Sequence, residues 1–441
     1  MFQINQIQPE IFTAPADLSA SIGKKVNLQG IIHKIRRMRE FAFVLLRRRE
    51  GLLQCVYCEE EAEFSLEQLQ ENMSVRLDGV VVAEERSSLG YEVRLIRAEI
   101  LSVPAEPSPL VINNREVPAS LETLLDYRPL TLRHPKEQAI FMIQAELCRG
   151  FRDFFDRNHF TEIHTPKIVS GSAEGGANVF RLDYFGKEAF LAQSPQFYKQ
   201  MMVGVLERVY EIAPVFRAEK HDTSRHINEY TSIDLEIGFL NNYWELMQLE
   251  TAMLSEVFAS VKKNCFTELQ LWNATVPTIE SIPAIPFDQA KQMVSGYLQR
   301  EITDPNDFDP EEEKILCEII FRETGSELVF VTGYHSAKRP FYTMDSKEDS
   351  TKSESFDLLF RGIEITTGGQ RIHSYHQQAE KMCVRGMNVE AFSGYLMAHK
   401  YGLPPHGGMG IGLERLTARL LGLENVRRAT LFPRDTKRLV P

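Results

Sequence analysis

The stretch His406-Gly407-Gly408-Met409-Gly410-Ile411-Gly412-Leu413-Glu414-Arg415-Leu416 narrows the structures open to this chain more than any other. Four glycines lead into a helix whose first turn carries Glu414 and Arg415. Glycine lets a backbone come close to a ligand, and a helix start adds partial positive charge. Tight packing of strand on helix also asks for small residues, but it gains nothing from an arginine, whereas a phosphate does. A second segment carries the same signal. In Phe216-Arg217-Ala218-Glu219-Lys220-His221-Asp222-Thr223-Ser224-Arg225-His226 a strand ends at Arg217 and runs into a polar turn with further cations, ahead of a strand through Ile233-Asp234-Leu235-Glu236. Such a loop can fold over a polyphosphate, because the planar arginine fork matches phosphate oxygens and stabilises charge growing on them. Taken singly, Arg217 reads as a surface ion-pair partner of Glu219; the cluster favours phosphate. Neither GxxxxGK[ST] nor a strand-borne GxGxxG occurs, so a nucleotide is held by side chains as much as by backbone.

At 441 residues the chain exceeds what one core commonly serves, and two or three domains are expected. No run of about 18 or more uncharged apolar residues is present, and the amino terminus lacks a basic stretch followed by an apolar core, so the expectation is a cytoplasmic protein without membrane contact. Six cysteines are scattered apart from Cys55 and Cys58. With no second pair to complete a zinc set, they read as reduced residues in or beside a strand. A net charge of −11 argues against a protein that coats nucleic acid indiscriminately. Local charge differs: Lys24, Lys25, Lys34, Arg36, Arg37, Arg39, Arg47, Arg48 and Arg49 are interrupted only by the acid Glu40.

That basic island falls among short apolar-rich runs. Val26 to Ile35, Phe41 to Leu46, Leu52 to Tyr57, Val75 to Ala83 and Tyr91 to Leu101 have strand length and composition, with a helix-like stretch from Glu60 to Gln70 after the third. This is the order of an OB-fold barrel, a frequent reader of single-stranded nucleic acid; a small barrel for protein contacts is the alternative. Phe41 and Phe43 interleave with the cations, and unstacked bases need aromatic faces as phosphates need cations, which favours nucleic acid. Prolines 104, 107, 109 and 118 mark a linker, giving expected domains at 1–103, 104–135 and 136–441. Past a helix from Lys136 to Asn158, strands (Arg208 to Phe216, Ile233 to Phe239, Leu328 to Thr332, Phe356 to Ile365) mix with helices (Asn242 to Lys262, Val389 to Tyr401, Leu413 to Leu421). There is no βαβ repetition, so the class is α+β with an antiparallel sheet.

Three segments in this order resemble the three motifs of class II aminoacyl-tRNA synthetases: Phe160-Thr161-Glu162-Ile163-His164-Thr165-Pro166, the Arg217 strand and loop, and Gly412 to Arg415. The barrel resembles the anticodon-binding domain of the aspartate, asparagine and lysine subgroup, and the resemblance spans nearly the whole chain. It implies a class II catalytic domain, an antiparallel sheet flanked by helices, and a homodimer formed through the first motif. It also implies Arg217 and Arg415 as catalytic arginines, with Glu219, Arg225, His226, Ile227, Tyr230, Gly412, Leu413 and Glu414 completing an ATP site. Glu364 in Gly362-Ile363-Glu364-Ile365-Thr366-Thr367, together with Thr367, is implied to hold magnesium, a role suited to hard oxygen ligands beside phosphates.

For the amino acid, Ser194-Pro195-Gln196-Phe197-Tyr198-Lys199 resembles the aspartate enzymes. It implies Gln196 and Asp234 on the ammonium and Lys199 near the side-chain carboxylate, with Ser194 beside them. Glu174, in Ala173-Glu174-Gly175-Gly176, resembles the acid of a mobile loop. Thr366-Thr367-Gly368-Gly369-Gln370-Arg371 resembles the aspartate pattern, with Arg371 as bidentate partner of the β-carboxylate. Asparaginyl enzymes carry glycines at the two threonines. The length between Leu235 and Glu364 resembles the compact archaeal-type form. L-aspartate, ATP with Mg2+, and tRNA-Asp are the implied partners. An asparaginyl enzyme is the nearest alternative, and a non-charging paralogue that binds nucleic acid is the other.

In the barrel, Phe43 and Gln54 stand where the family has a stacking aromatic and a base-reading glutamine. His33 resembles the form that tolerates the asparagine anticodon, whereas the turn Glu84-Glu85-Arg86-Ser87 matches neither pattern. The expectation is a relaxed enzyme that charges tRNA-Asn as well, with His33 and Arg86 near the anticodon.

Overall fold

The structure, a computed structural model, describes residues 18–440 apart from 50, 88, 172–177, 221–222 and 302–303. It divides into two units, one formed by residues up to Ser120 with Pro129–Pro135, the other by Leu121–Arg128 with Lys136 onward. The stretch 104–135 is shared between them and holds the helices Leu121–Asp126 and Arg128–Thr131.

In the first unit, β1 (Lys25–Arg37), β2 (Ala42–Arg48), β3 (Gly51–Tyr57), β4 (Ser74–Ala83) and β5 (Tyr91–Ser102) close a barrel in the order β1-β2-β3-β5-β4. Each strand covers a run marked by alternation, because every second residue turns inward; Leu28, Val44, Leu46, Cys55, Val75, Leu77 and Val93 are fully buried. The helix expected over Glu60 to Gln70 is not formed. The Glu63 amide donates to the Ile96 carbonyl at 2.7 Å and the Tyr57 hydroxyl to the Phe64 carbonyl at 3.1 Å. Backbone groups that a helix would use are thus committed to the barrel, leaving a 3-10 turn at Leu66–Gln68 capped by Ser65.

In the second unit, β6 (Thr161–Glu162) precedes a small sheet of β7 (Ile168–Val169), β8 (Arg181–Tyr184) and β9 (Lys187–Leu191), ordered β7-β9-β8. The large sheet joins β6 to β10 (Arg208–Phe216), β11 (Glu229–Gly238), β12 (Ala284–Pro286), β13 (Leu328–Thr332), β14 (Ser355–Phe360), β15 (Ile363–Gln370) and β16 (His406–Gly412). Its order is β12-β13-β14-β15-β16-β11-β10-β6. The central strands from β13 to β10 are antiparallel, and the edge strands β12 and β6 pair parallel with their neighbours. Phe356 to Ile365, expected as one strand, is the hairpin β14–β15. Arg361 and Gly362 take φ of 47° and 84°, the positive values that a two-residue hairpin turn asks of both positions.

Helices Pro135–Arg157 and Trp244–Asn264 cover one face of the large sheet, where Ile233, Leu235, Met409 and Ile411 pack with Leu147, Phe151, Leu254 and Val257. Strand alternation then turns Ser232, Asp234 and Glu236 of β11, and their partners Gly412, Gly410 and Gly408 of β16, to the opposite face. That face carries the cleft.

Candidate active site

A cleft of about 320 Å³ opens over β11, β16 and β15. Its floor is ionic. Lys199, from the helix Gln196–Leu206, donates to Asp234 Oδ1 at 2.8 Å and to the carbonyls of Leu235 and Met409 at 3.3 and 3.1 Å. Glu236 Oε2 lies 3.4 Å from the same ammonium, and Glu236 Oε1 accepts from Arg371 Nε at 3.0 Å. Arg371 also donates to the Gly408 carbonyl at 2.8 Å, and its guanidinium lies 5.3 Å from the Tyr342 ring centroid. Two cations and two acids therefore alternate, all of them buried. Asp234 Oδ2 and Gln196 Nε2 are buried polar atoms with no protein hydrogen bond, which suits a polar ligand.

The glycines of β16 make this floor possible. A Cβ on Gly408 would stand 2.1 Å from Glu236 Oε2, and one on Gly410 would stand 3.1 Å from Asp234 Oδ1. Acidic side chains of β11 occupy the space that side chains on β16 would fill. Of these glycines, expected to let a ligand approach, Gly408 and Gly410 make room for protein carboxylates, and Gly410 and Gly412 line the cleft.

Over the other half of the cleft stand Arg217, Glu219, Arg225, His226, Ile227 and Tyr230. Arg217 follows β10 directly, with its guanidinium 5.8 Å from the Tyr230 ring centroid. Asn228 staples the loop by donating to the carbonyls of Arg217 and Glu219 at 2.7 and 2.9 Å. His226 Nδ1 and Thr223 Oγ1 share a hydrogen bond of 2.6 Å, and Arg225 pairs with Glu313. Glu414 accepts the Thr231 amide on both oxygens at 3.0 and 3.1 Å, and burial pushes its carboxyl up to about 7. Arg415 donates to the Glu364 carbonyl at 3.1 Å and lies 3.6 Å from its carboxylate, which accepts from Thr367 Oγ1 at 3.1 Å.

Thus Ser194, Gln196, Lys199, Arg217, Asp234, Glu364, Thr367, Arg371, Gly412, Glu414 and Arg415, far apart in the chain, line one cleft with the loop residues. Leu413 does not; its side chain is in the core. Glu174 lies outside the described residues. Glu236, Asn228, Glu313 and Tyr342 were missed. Period-two alternation of Ser232, Asp234 and Glu236 could have flagged Glu236; the others carry no local signal.

In the barrel, register places Phe43 opposite Val56 and Arg36, and Gln54 opposite Leu45, which faces Lys34. Phe43 and Gln54 thereby share the outward face with two cations. Phe43 packs edge-on against Phe41 at 5.0 Å between ring centroids, and Gln54 donates to Glu92 at 3.2 Å. His33 sits where β1 bulges between Ile32 and Lys34, is buried, and lines a recess with Asn72, Pro104 and Asn113. Burial, with Arg47, His134 and Lys34 nearby, pushes its pKa down to about 4, so it is neutral. Arg86, in its turn, forks onto Glu84 at 2.9 and 3.1 Å.

Comparison with known proteins matches residues 120–436 to the family of class II tRNA synthetases (D, K and N) and residues 26–101 to the OB-fold nucleic acid binding domain. A Thermus thermophilus relative named aspartate–tRNA(Asp/Asn) ligase is 46% identical, covering 96% of this chain and 99% of its own. A Pyrococcus horikoshii relative named aspartate–tRNA(Asp) ligase is 39% identical over 95% of this chain and 97% of its own. Among solved structures, asparaginyl-tRNA synthetase from Pyrococcus horikoshii, complexed with asparaginyl-adenylate, superposes with a TM-score of 0.89 at 30% identity, covering 98% of this chain and 100% of that one.

Proposed function

Because the chain belongs to the class II tRNA synthetases for D, K and N, we propose that it is an aspartate–tRNA ligase. It activates L-aspartate with ATP and passes the aspartyl group to the 3′ end of tRNA-Asp, and of tRNA-Asn as well. The observation that carries the substrate is the buried floor in which Lys199 and Arg371 alternate with Asp234 and Glu236. Aspartate offers one ammonium and two carboxylates. Gln196 and Asp234 take the ammonium, while Lys199 and the Arg371 fork take the β-carboxylate. Asparagine brings to the same two cations an amide whose NH2 group is a donor, so one of the positions where Lys199 and Arg371 need an acceptor meets a donor instead.

Arg217 bridges the α-phosphate and the substrate α-carboxylate, Glu219 reads the adenine amino group, and Tyr230 offers its ring face. Arg225 and His226 meet the outer phosphates, and Arg415 holds the far side of the nucleotide. Glu364 and Thr367 would hold the Mg2+ that accompanies ATP, which would offset charge on the phosphates; a carboxylate beside a hydroxyl fits a small hard cation. An α-carboxylate oxygen of aspartate attacks the α-phosphorus in line, and the bond to the bridging oxygen breaks to release diphosphate. The terminal ribose hydroxyl of the tRNA then attacks the carbonyl carbon, and AMP leaves. No side chain acts as nucleophile; the protein positions the reactants and stabilises charge.

The barrel reads the anticodon through Phe43 and Gln54. The wider acceptor range is supported by His33 and by the name of the Thermus relative. The chain works as a homodimer through the segment around β6, which stands at the edge of the large sheet. Among the described residues no helix is long and apolar enough to cross a membrane. The cytoplasmic location proposed here rests on the family to which the chain belongs. The test is aminoacylation of tRNA-Asp and tRNA-Asn separately, with labelled aspartate or asparagine. Aspartate on both and asparagine on neither is expected. Asparagine charging would overturn the substrate, aspartate on tRNA-Asp alone would overturn the wider acceptor range, and no charging would favour a paralogue that only binds nucleic acid.

A further inference from the structure

Arg225 lines the cleft, yet its guanidinium is held by a residue that does not. Glu313 lies in the first turn of the helix Pro310–Thr324, whose start is fixed by a capping box. Asp309 accepts the amides of Glu311 and Glu312 at 2.8 and 2.9 Å, and the Glu312 carboxylate accepts the Asp309 amide at 2.9 Å. Three successive glutamates leave this turn in different directions. Glu311 pairs with Arg300 at 2.8 Å, Glu312 with the buried Lys291 at 2.7 Å, and Glu313 with Arg225. The first two tie the helix to its own neighbourhood, whereas the third reaches 88 residues back along the chain to the loop between β10 and β11.

The Arg225 and Glu313 side chains are only 15% and 13% exposed, so the pair is shielded from water and its geometry is held more firmly than a surface ion pair would be. An arginine on a long stem gains from such a fixed partner, because its fork must meet a phosphate in one orientation. One Arg225 nitrogen engages Glu313, and the planar fork has other donors that can still face the cleft.

We propose that Glu313 is a positioning residue for the ATP step: it holds the Arg225 fork in the orientation that meets the β- and γ-phosphates, without touching the nucleotide. This rests on the reading of the cleft as the site of aspartate activation. It gives the helix Pro310–Thr324, to which no sequence motif pointed, a part in binding ATP.

A purely structural role and a positioning role separate experimentally. The full-length chain is compared with Glu313→Gln, Arg225→Ala and the double variant by aspartate-dependent ATP–pyrophosphate exchange, by titration with ATP alone, and by thermal unfolding. Glu313→Gln is expected to raise the KM for ATP about tenfold and the KM for aspartate by less than about twofold, with an unchanged unfolding midpoint. The double variant is expected to bind ATP no more weakly than Arg225→Ala, since Glu313 acts through that arginine. Glu313→Ala, a second way of removing the carboxylate, is expected to give the same split. Unaltered ATP affinity in both Glu313 variants, or single losses that multiply in the double variant, would overturn the proposal. The titration with ATP alone does not depend on aspartate, so a wild-type chain that binds ATP but exchanges nothing would count against the function while the Glu313 comparison is still read from binding.

Discussion

The Thr367 hydroxyl donates to the Glu364 carboxylate at 3.1 Å, although residues three apart along a strand ordinarily point to opposite faces. A bulge resolves this: Thr366 pairs with Leu358 and Glu364 with Leu359, so Ile365 is the extra residue and parity shifts by one. Both oxygens then stand over the cleft beside Arg415. Glu364→Gln is expected to raise the magnesium concentration for half-maximal pyrophosphate exchange by about 10–100-fold, and Thr367→Ala to shift it less in the same direction. A magnesium titration of exchange rate checks this, and an unshifted curve for Glu364→Gln would rule the role out.

Beyond the substrate contact proposed for it, Arg371 supports the buried floor. Glu236 is fully buried, and without Arg371 its remaining cation is Lys199 at 3.4 Å. Breaking a buried pair from one side costs about 3–5 kcal/mol. Arg371→Leu is expected to lose aspartate-dependent exchange and to unfold at lower denaturant, whereas Arg371→Leu with Glu236→Leu recovers stability but not activity. Denaturant unfolding beside exchange assays distinguishes the two effects.

Gly408→Ala tests the floor by volume. Its Cβ would stand 2.1 Å from Glu236 Oε2 and 2.2 Å from the Leu235 carbonyl, with backbone on one side and a paired carboxylate on the other. A cost of about 1–3 kcal/mol in stability is expected, with an increased KM for aspartate as Glu236 and Arg371 are displaced. The comparison is Gly296→Ala, where nothing lies within 4 Å.

Phe43→Ala is expected to weaken tRNA binding by about 1–3 kcal/mol, the range for loss of one stacking ring. Pyrophosphate exchange needs no tRNA and is expected to stay at the wild-type rate. Equal loss in both assays would mean that Phe43 serves the barrel core instead.

Glu250, on the helix Trp244–Asn264, accepts from the Thr366 hydroxyl at 2.6 Å on the core side of β15. Burial pushes its carboxyl from 4.5 up to about 8, opposed by that hydrogen bond. A raised folded-state pKa means that the folded protein holds the proton more tightly. This contribution to stability is complete below about pH 4.5 and is lost as pH rises towards 8. Glu250→Gln is expected to flatten that window, matching wild type near pH 4 and exceeding it above pH 8 by on the order of 5 kcal/mol. Unfolding free energies across this range provide the measurement.

Much of this molecule was legible along the chain. Alternation delimited the five barrel strands, because one face of each had to be buried and the side-chain period is two. Clustered cations around Arg217 and Arg225, and Arg415 after its glycines, pointed to a common site, and the fold brings all three to one cleft. Local patterning failed where a backbone had a competing partner. Glu63 and Phe64 bond to the barrel instead of forming a helical turn, and Arg361-Gly362 breaks what composition presents as a continuous strand.

The residue types that a carboxylate and a triphosphate require were present in the one-dimensional order, and so were the elements that carry them. Their partners were not. Lys199 reaches the Met409 carbonyl 210 residues away, Arg225 meets Glu313, and Glu364 joins Thr367 on one face only through a bulge. Such pairings depend on cross-strand register and on which backbone leaves room for which side chain. Those are properties of packing between distant segments, and no periodicity within a single segment encodes them.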